Sequence, residues 1–121
     1  MNIDYFNTIN KSSGLEFGDS ILNEMAARLT ETTDSTATCY RFSGEDFVVL
    51  LPGADLQHAS TAAAKISKAC SEKPFTDGKN TISITISVGV ASLKDHKPDN
   101  HDEFICMAET ALFMAKAEGR N

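Results

Sequence analysis

The residues best placed for chemistry lie in a short turn, Ser43-Gly44-Glu45-Asp46, which sets two carboxylates side by side between two strand-like segments. Adjacent carboxylates can hold a divalent cation or take a proton. Acids are equally common on solvated turns, so the pair alone decides nothing. Lys116 and Arg120 stand four apart near the end of the last helical segment, where a helix C-terminus favours positive charge in any protein. His58, His96 and His101 are scattered without a ligand spacing and read as solvated surface. Cys39, Cys70 and Cys106 are odd in number, far apart and without a CxxC pair. They indicate neither a disulfide framework nor a zinc site, and each reads as a small hydrophobe in a reducing cytoplasm. Met107 and Met114 read as core.

The elements that must position the turn follow from periodicity. Ile3 to Ile9 is a short apolar-rich piece, stopped by Lys11-Ser12-Ser13-Gly14. A helix is predicted from about Gly18 to Thr30, with Ile21, Leu22, Met25 and Leu29 on one face and Asp19 near its positive N-terminus. Glu31 to Thr36 reads as a loop. Thr38, Tyr40 and Phe42 alternate with Cys39 and Arg41, and Phe47 to Leu51 is a nearly continuous apolar strand ended by Pro52-Gly53, which makes a hairpin around the acidic turn. Asp55 is a fitting N-cap for a helix from Leu56 to about Ser71 with an Ala-rich face, ended by Pro74. Asp77-Gly78 is a turn signal. Ile82, Ile84, Ile86, Val88 and Val90 then alternate with small and polar residues as one strand. Lys94 to His101 reads as a loop, and a last helix runs from near Asp102 to Glu118 with Gly119 as its stop. A hairpin mixed with crossovers predicts an α+β fold, a sheet covered by helices.

Composition bounds the rest. The 121 residues suit one domain, able to bury roughly two thirds of its unfolded surface. A net charge of -6 argues against a general affinity for nucleic acid or an anionic membrane, though a few local bases can still hold a small anion. No apolar run reaches the length of a membrane span and no signal peptide opens the chain.

Four segments, in order, resemble the GGDEF family of bacterial cyclic-di-GMP signalling. They are Asn2-Ile3-Asp4-Tyr5-Phe6 through Asn10 to Gly18-Asp19, Arg41-Phe42-Ser43-Gly44-Glu45-Asp46-Phe47, Ile86-Ser87-Val88-Gly89-Val90-Ala91, and Ala108-Glu109 through Lys116-Ala117-Glu118-Gly119-Arg120-Asn121. The resemblance covers the whole chain, as one GGDEF-type domain over residues 1–121. It implies a two- or three-layer α+β sandwich with a mixed, mostly antiparallel sheet, related to nucleotidyl-cyclase and palm folds and to ferredoxin. It also implies the activity: two GTP molecules, one on each domain of a homodimer, condense with loss of pyrophosphate.

Residue by residue, the resemblance implies that Glu45 binds metal and helps activate the attacking hydroxyl, with Asp46 as the second acid of the motif. Ser43 and Gly44 form the turn beside the phosphates. Asn10 and Asp19 read the guanine edge, whose donors and acceptor suit a carboxylate and an amide. Asn7, Lys116 and Arg120 stand at phosphate-contacting positions. Glu45, the Ile3 carbonyl and Asn2 stand at the positions that ligate Mg²⁺ or Mn²⁺.

The departures from the family pattern bear on activity. Asn2 stands where the family has a metal-binding Asp, and an amide brings no charge to an ion that prefers anionic oxygen. Asn7 replaces a Lys, Leu15 a His and Ser43 the first glycine of the motif. Asp34 and Ala37 occupy the positions of the Arg-x-x-Asp product-inhibition motif, which is absent. The family has a strand before Asn2, central in its sheet, so the resemblance implies a piece of a longer cytoplasmic protein, or of the cytoplasmic part of a membrane-anchored one, with linked sensory or phosphodiesterase domains. Three functions are open at this point: a diguanylate cyclase; a catalytically inactive module that binds GTP or a partner and regulates a neighbouring phosphodiesterase domain; and a palm-type nucleotidyltransferase of another family, which a preference for guanine over adenine would count against.

Overall fold

The computed structural model describes every residue from Met1 to Asn121. In chain order the elements are β1 (Asn2–Ile3), α1 (Phe6–Ser13), α2 (Leu15–Thr32), β2 (Thr38–Ser43), β3 (Asp46–Leu50), α3 (Leu56–Glu72), β4 (Phe75–Thr76), β5 (Thr81–Ile82), β6 (Ile86–Ser87), α4 (Leu93–His96) and α5 (His101–Ala117). The main sheet runs β2-β3-β1-β6, all antiparallel, and β4 pairs with β5 apart from it. The fold is α+β, as expected.

The centre of the sheet is held by Asn2–Ile3: Asn2 lies opposite Asp46 on one side and Ser87 on the other. Because side chains alternate along a strand, this register sorts the sheet into two faces. Ile3, Phe47 and Ile86 point to one, where they join Phe6, Phe17, Ile21 and Met25 of α1 and α2 in the buried core. Asn2, Asp46 and Ser87 point to the other, and the buried Asp4 carboxylate continues that polar row by accepting from the Ser87 hydroxyl.

The expected single strand from Ile82 to Val90 is two short ones with different partners. Thr81–Ile82 pairs with Phe75–Thr76 across a turn that Asp77 organises by accepting the backbone N–H groups of Lys79 and Asn80. Ile86–Ser87 pairs instead with β1. The apolar alternation holds through the change, since Ile84 and Ile86 are both buried. Past Ser87, which pairs with Asn2, the chain packs closely against α5. A Cβ on Gly89 would lie 2.1 Å from the Ala108 carbonyl oxygen and 2.3 Å from the Leu112 nitrogen.

Helix α2 starts at Leu15, earlier than expected, because Gly14 with φ 87° makes the break from α1. Asp19 is therefore in the second turn of α2, away from the N-terminal amides. α2 also extends through Thr32, into the predicted loop, and the loop after Lys94 opens with the short α4. Asp55 caps α3 as expected, accepting from the His58 N–H at 2.8 Å. The other end of α3 is held by Arg28 of α2. Its guanidinium donates to the carbonyls of Cys70, Lys73 and Pro74 and lies 3.7 Å from the centre of the Phe75 ring. This supplies donors for carbonyls that a helix end leaves orphaned.

Two expectations about apolar residues fail on α5, where no residue is fully buried. Met114 is 54% exposed and Cys106 is exposed, because α5 meets the sheet only along the side that faces Gly89.

Candidate functional site

The acidic turn is built by the β2–β3 hairpin. Ser43 is the last β2 residue and pairs with Asp46, the first of β3, after a register shift between Arg41 and Ser43. The chain must reverse through Gly44 and Glu45. Gly44 takes φ 42°, a value that a residue with a Cβ adopts only at a cost. No atom lies within 4 Å of where its Cβ would stand, so the glycine serves the backbone reversal and leaves open space above the turn. Arg41 Nε closes the turn by donating to the Gly44 carbonyl at 2.8 Å.

The two acids differ in their surroundings. Asp46 is tied on both oxygens: Asn2 Nδ2 donates to Oδ1 at 2.8 Å, and Ser43 Oγ donates to Oδ2 at 3.4 Å. Asn2 is buried to 7% exposure, so the tether is held by the sheet. Glu45 is half-buried; its backbone carbonyl accepts the Ile3 N–H at 3.4 Å, and its carboxylate is engaged by no hydrogen bond or ion pair of the protein. The structure thus brings together Asn2, Ile3, Ser43, Glu45 and Asp46.

A divalent cation finds a limited donor set here. Two carboxylates, a neutral amide and a backbone carbonyl supply only two negative charges, and no three His, Cys, Asp or Glu side chains converge as a metal cage anywhere in the fold. Mg²⁺ is commonly bound by one or two carboxylates together with substrate phosphates and waters. The residues fit an ion that arrives with a phosphorylated ligand, and do not fit a metal held by protein alone.

A second group forms where α1 packs on α2. Gly18 of α2 lies against the Asn10 amide so closely that a Cβ there would stand 1.8 Å from Oδ1. That oxygen is shielded from solvent and has no hydrogen-bond partner, an unusual state for a buried acceptor. Asp19 follows Gly18 directly and is exposed. Asn7 is exposed one turn before Asn10 on α1. From Phe6 to Asn10 the helix rises about 6 Å, so α1 separates the Asn10–Asp19 pair from the strand that carries Asn2.

The bases come from the end of α5. Lys116 is half-buried. After Gly119, with φ 118°, the chain curls back and Arg120 lies with its guanidinium 4.8 Å from the centre of the Tyr5 ring and Nε 4.0 Å from Asp4 Oδ1. Asp4 has no assigned role in the sequence reading. Its carboxylate is 1% exposed and accepts from the hydroxyls of Thr85 and Ser87, each at 2.7 Å. The signal for it was present: an acid two residues from Asn2, and hydroxyl residues alternating with the buried Ile84 and Ile86. The histidines stay apart from this region; His96 Nδ1 accepts from the Ser92 N–H, and His58 and His101 are exposed beside Asp34 and Asp102.

Comparison with known proteins decides the family. The sequence profile described as "Diguanylate cyclase, GGDEF domain" matches residues 1–121. The chain belongs to the GGDEF family, the diguanylate cyclase domain family of cyclic-di-GMP signalling. This GGDEF domain is 38% identical to the uncharacterized protein YhcK of Bacillus subtilis, over all of this chain and 34% of that protein. It is 34% identical to the response regulator PleD of Caulobacter vibrioides, over all of this chain and 27% of that protein. It therefore spans about a third of the length of these curated relatives. Among solved structures, an EAL/GGDEF domain protein from M. capsulatus aligns with TM-score 0.87 at 31% identity, over 98% of this chain and 76% of that one. No helix of the GGDEF domain is long and apolar enough to cross a membrane.

Proposed function

We propose that this domain binds GTP and, as a homodimer, condenses two GTP molecules to cyclic di-GMP at a rate reduced by Asn2. The observation that carries the nucleotide reading is the orphaned Asn10 Oδ1 beside Gly18. A small rotation of the amide exchanges its contact with Gly18 for an N–H of a guanine edge, and Asp19 takes another donor of that edge. With the base at this end of α1, the phosphates lie toward Asn7, the acidic turn and the bases Lys116 and Arg120. The open space above Gly44 gives them room.

In each half-reaction the 3′-oxygen of one GTP bonds to the α-phosphorus of the other, the bond to the bridging oxygen breaks, and pyrophosphate leaves. Glu45 takes the proton of the attacking hydroxyl on its free carboxylate and returns it to water. A Mg²⁺ or Mn²⁺ ion, held by Glu45, Asn2 and the Ile3 carbonyl, would supply charge stabilisation for the departing pyrophosphate. Asp46, tied by Asn2 and Ser43, fixes the turn so that Glu45 keeps its place.

A second reading has one specific support. The neutral amide of Asn2 removes a charge from the metal position, which favours a domain that binds GTP without turnover and regulates a linked phosphodiesterase or sensory domain. In either reading the domain works in the cytoplasm, where GTP is available.

Titration calorimetry with GTP and ATP tests the nucleotide reading. GTP is expected to bind at least tenfold more tightly than ATP, and Asp19→Ala is expected to abolish that preference. Equal affinity for the two nucleotides would overturn the guanine assignment.

A further inference from the structure

We propose that Asp4, together with the Tyr5 ring, is a positioning residue for Arg120, presenting its guanidinium edge to the phosphates of the bound nucleotide. The inference rests on the phosphate role given to Arg120 above and adds what orients it.

Three features support this. The Asp4 carboxylate is sealed from solvent and fixed in direction by the Thr85 and Ser87 hydroxyls, so it is a rigid negative charge and not a mobile one. Arg120 approaches it through Nε at 4.0 Å, close enough for attraction and too long for a hydrogen bond. Its side chain makes no hydrogen bond to the protein, which leaves the two terminal amino groups available for the forked contact that guanidinium makes with phosphate. The Tyr5 ring lies beneath the guanidinium with its centroid 4.8 Å away, a cation–π contact that helps to hold it in place. Tyr5 and Arg120 both hold positive φ, 58° and 67°. Two side chains that rarely accept that conformation adopt it at the two ends that must meet.

A merely structural Asp4 would stabilise the β1–α1 junction and leave ligand affinity untouched, so the test reads binding in a cycle of variants. Asp4→Asn keeps the shape and most hydrogen bonds; Arg120→Gln removes the guanidinium; the double variant combines them. Tyr5→Leu, at a position 64% exposed, removes the ring at little risk to folding. With Mg²⁺ present, each single variant is expected to weaken GTP about fivefold to tenfold and to leave guanosine affinity unchanged. The double variant is expected to be no weaker than Arg120→Gln alone. Effects of Asp4→Asn and Arg120→Gln that multiply, or an Asp4→Asn that weakens guanosine as much as GTP, would overturn the inference.

Pyrophosphate separates this result from the guanine reading. It meets Arg120 without a base, so weaker pyrophosphate binding in Asp4→Asn supports the positioning role whatever the base preference. Unchanged pyrophosphate and GTP affinity in Asp4→Asn overturns it while the nucleotide reading stands. A wild-type domain that binds neither overturns both.

Discussion

The side-chain amide of Asn2 donates to Oδ1 of Asp46 at 2.8 Å, between directly opposed residues of β1 and β3. This bond orders the acidic turn with one charge fewer than a carboxylate at Asn2 would bring. Asn2→Asp replaces it with two acids in contact. Without a cation the variant is expected to lose about 1.5–3 kcal/mol, the worth of a hydrogen bond to a charged group, read as a lower denaturant midpoint. With Mg²⁺ and GTP the added charge is expected to restore that loss and raise turnover at least tenfold. A variant as stable as wild type without metal would show that the Asn2–Asp46 bond contributes nothing.

Gly18→Ala tests the packing of α1 on α2. In a helix this change ordinarily stabilises by about 1 kcal/mol. Here the new methyl takes the place of Asn10 Oδ1. That atom is the far end of a flexible side chain and can swing away, so stability is expected to change by less than about 1 kcal/mol. GTP affinity is expected to fall at least tenfold as the amide leaves its position. A thermal melt and a GTP titration on the same sample check both halves.

Gly89→Ala should behave in the opposite way. Its methyl would meet backbone, the Ala108 carbonyl and the Leu112 nitrogen, and backbone yields only if α5 shifts as a whole. A loss of about 3 kcal/mol is expected, as for severe overpacking. Because Lys116 lies on α5 and Arg120 follows just beyond its end, GTP affinity should fall with it.

How much of this was legible in the sequence depends on how local each feature is. The helix from Leu56 was readable because Asp55 caps it through a residue three positions on. The acidic turn was readable because its glycine and acids are contiguous. Alternation over Ile82–Val90 reports which side chains are inward and says nothing about partners; β5 and β6 differ only in what they pair with. Asp4 and Arg120 lie at opposite ends of the chain, and only the curl after Gly119 joins them. The exposure of Met114 and Cys106 is hidden in the sequence for a related reason. Apolar composition marks a side chain as fit for burial, but the side of α5 that Gly89 admits decides which ones are buried.

Cys70 supplies a pH prediction. Burial pushes its thiol up from 9.0 to about 11, with Arg28 pulling the other way, and its sulfur lies 3.4 Å from Met25 Sδ. The folded state holds this proton more tightly than the unfolded chain. The associated stability is therefore fully present below pH 9 and lost as pH rises towards 11. Alkaline melts of wild type should fall more steeply across that window than those of Cys70→Ala. At pH 8 a thiol reagent should modify the exposed Cys106 rapidly and Cys70 only on unfolding.

Incubation with GTP and Mg²⁺, with cyclic di-GMP quantified by chromatography against a Glu45→Ala control, addresses the catalytic reading most directly. The predicted result is product from wild type, at least a hundredfold less from Glu45→Ala, and more from Asn2→Asp. Equal product from wild type and Glu45→Ala, or none from wild type and Asn2→Asp while GTP stays bound, would contradict it.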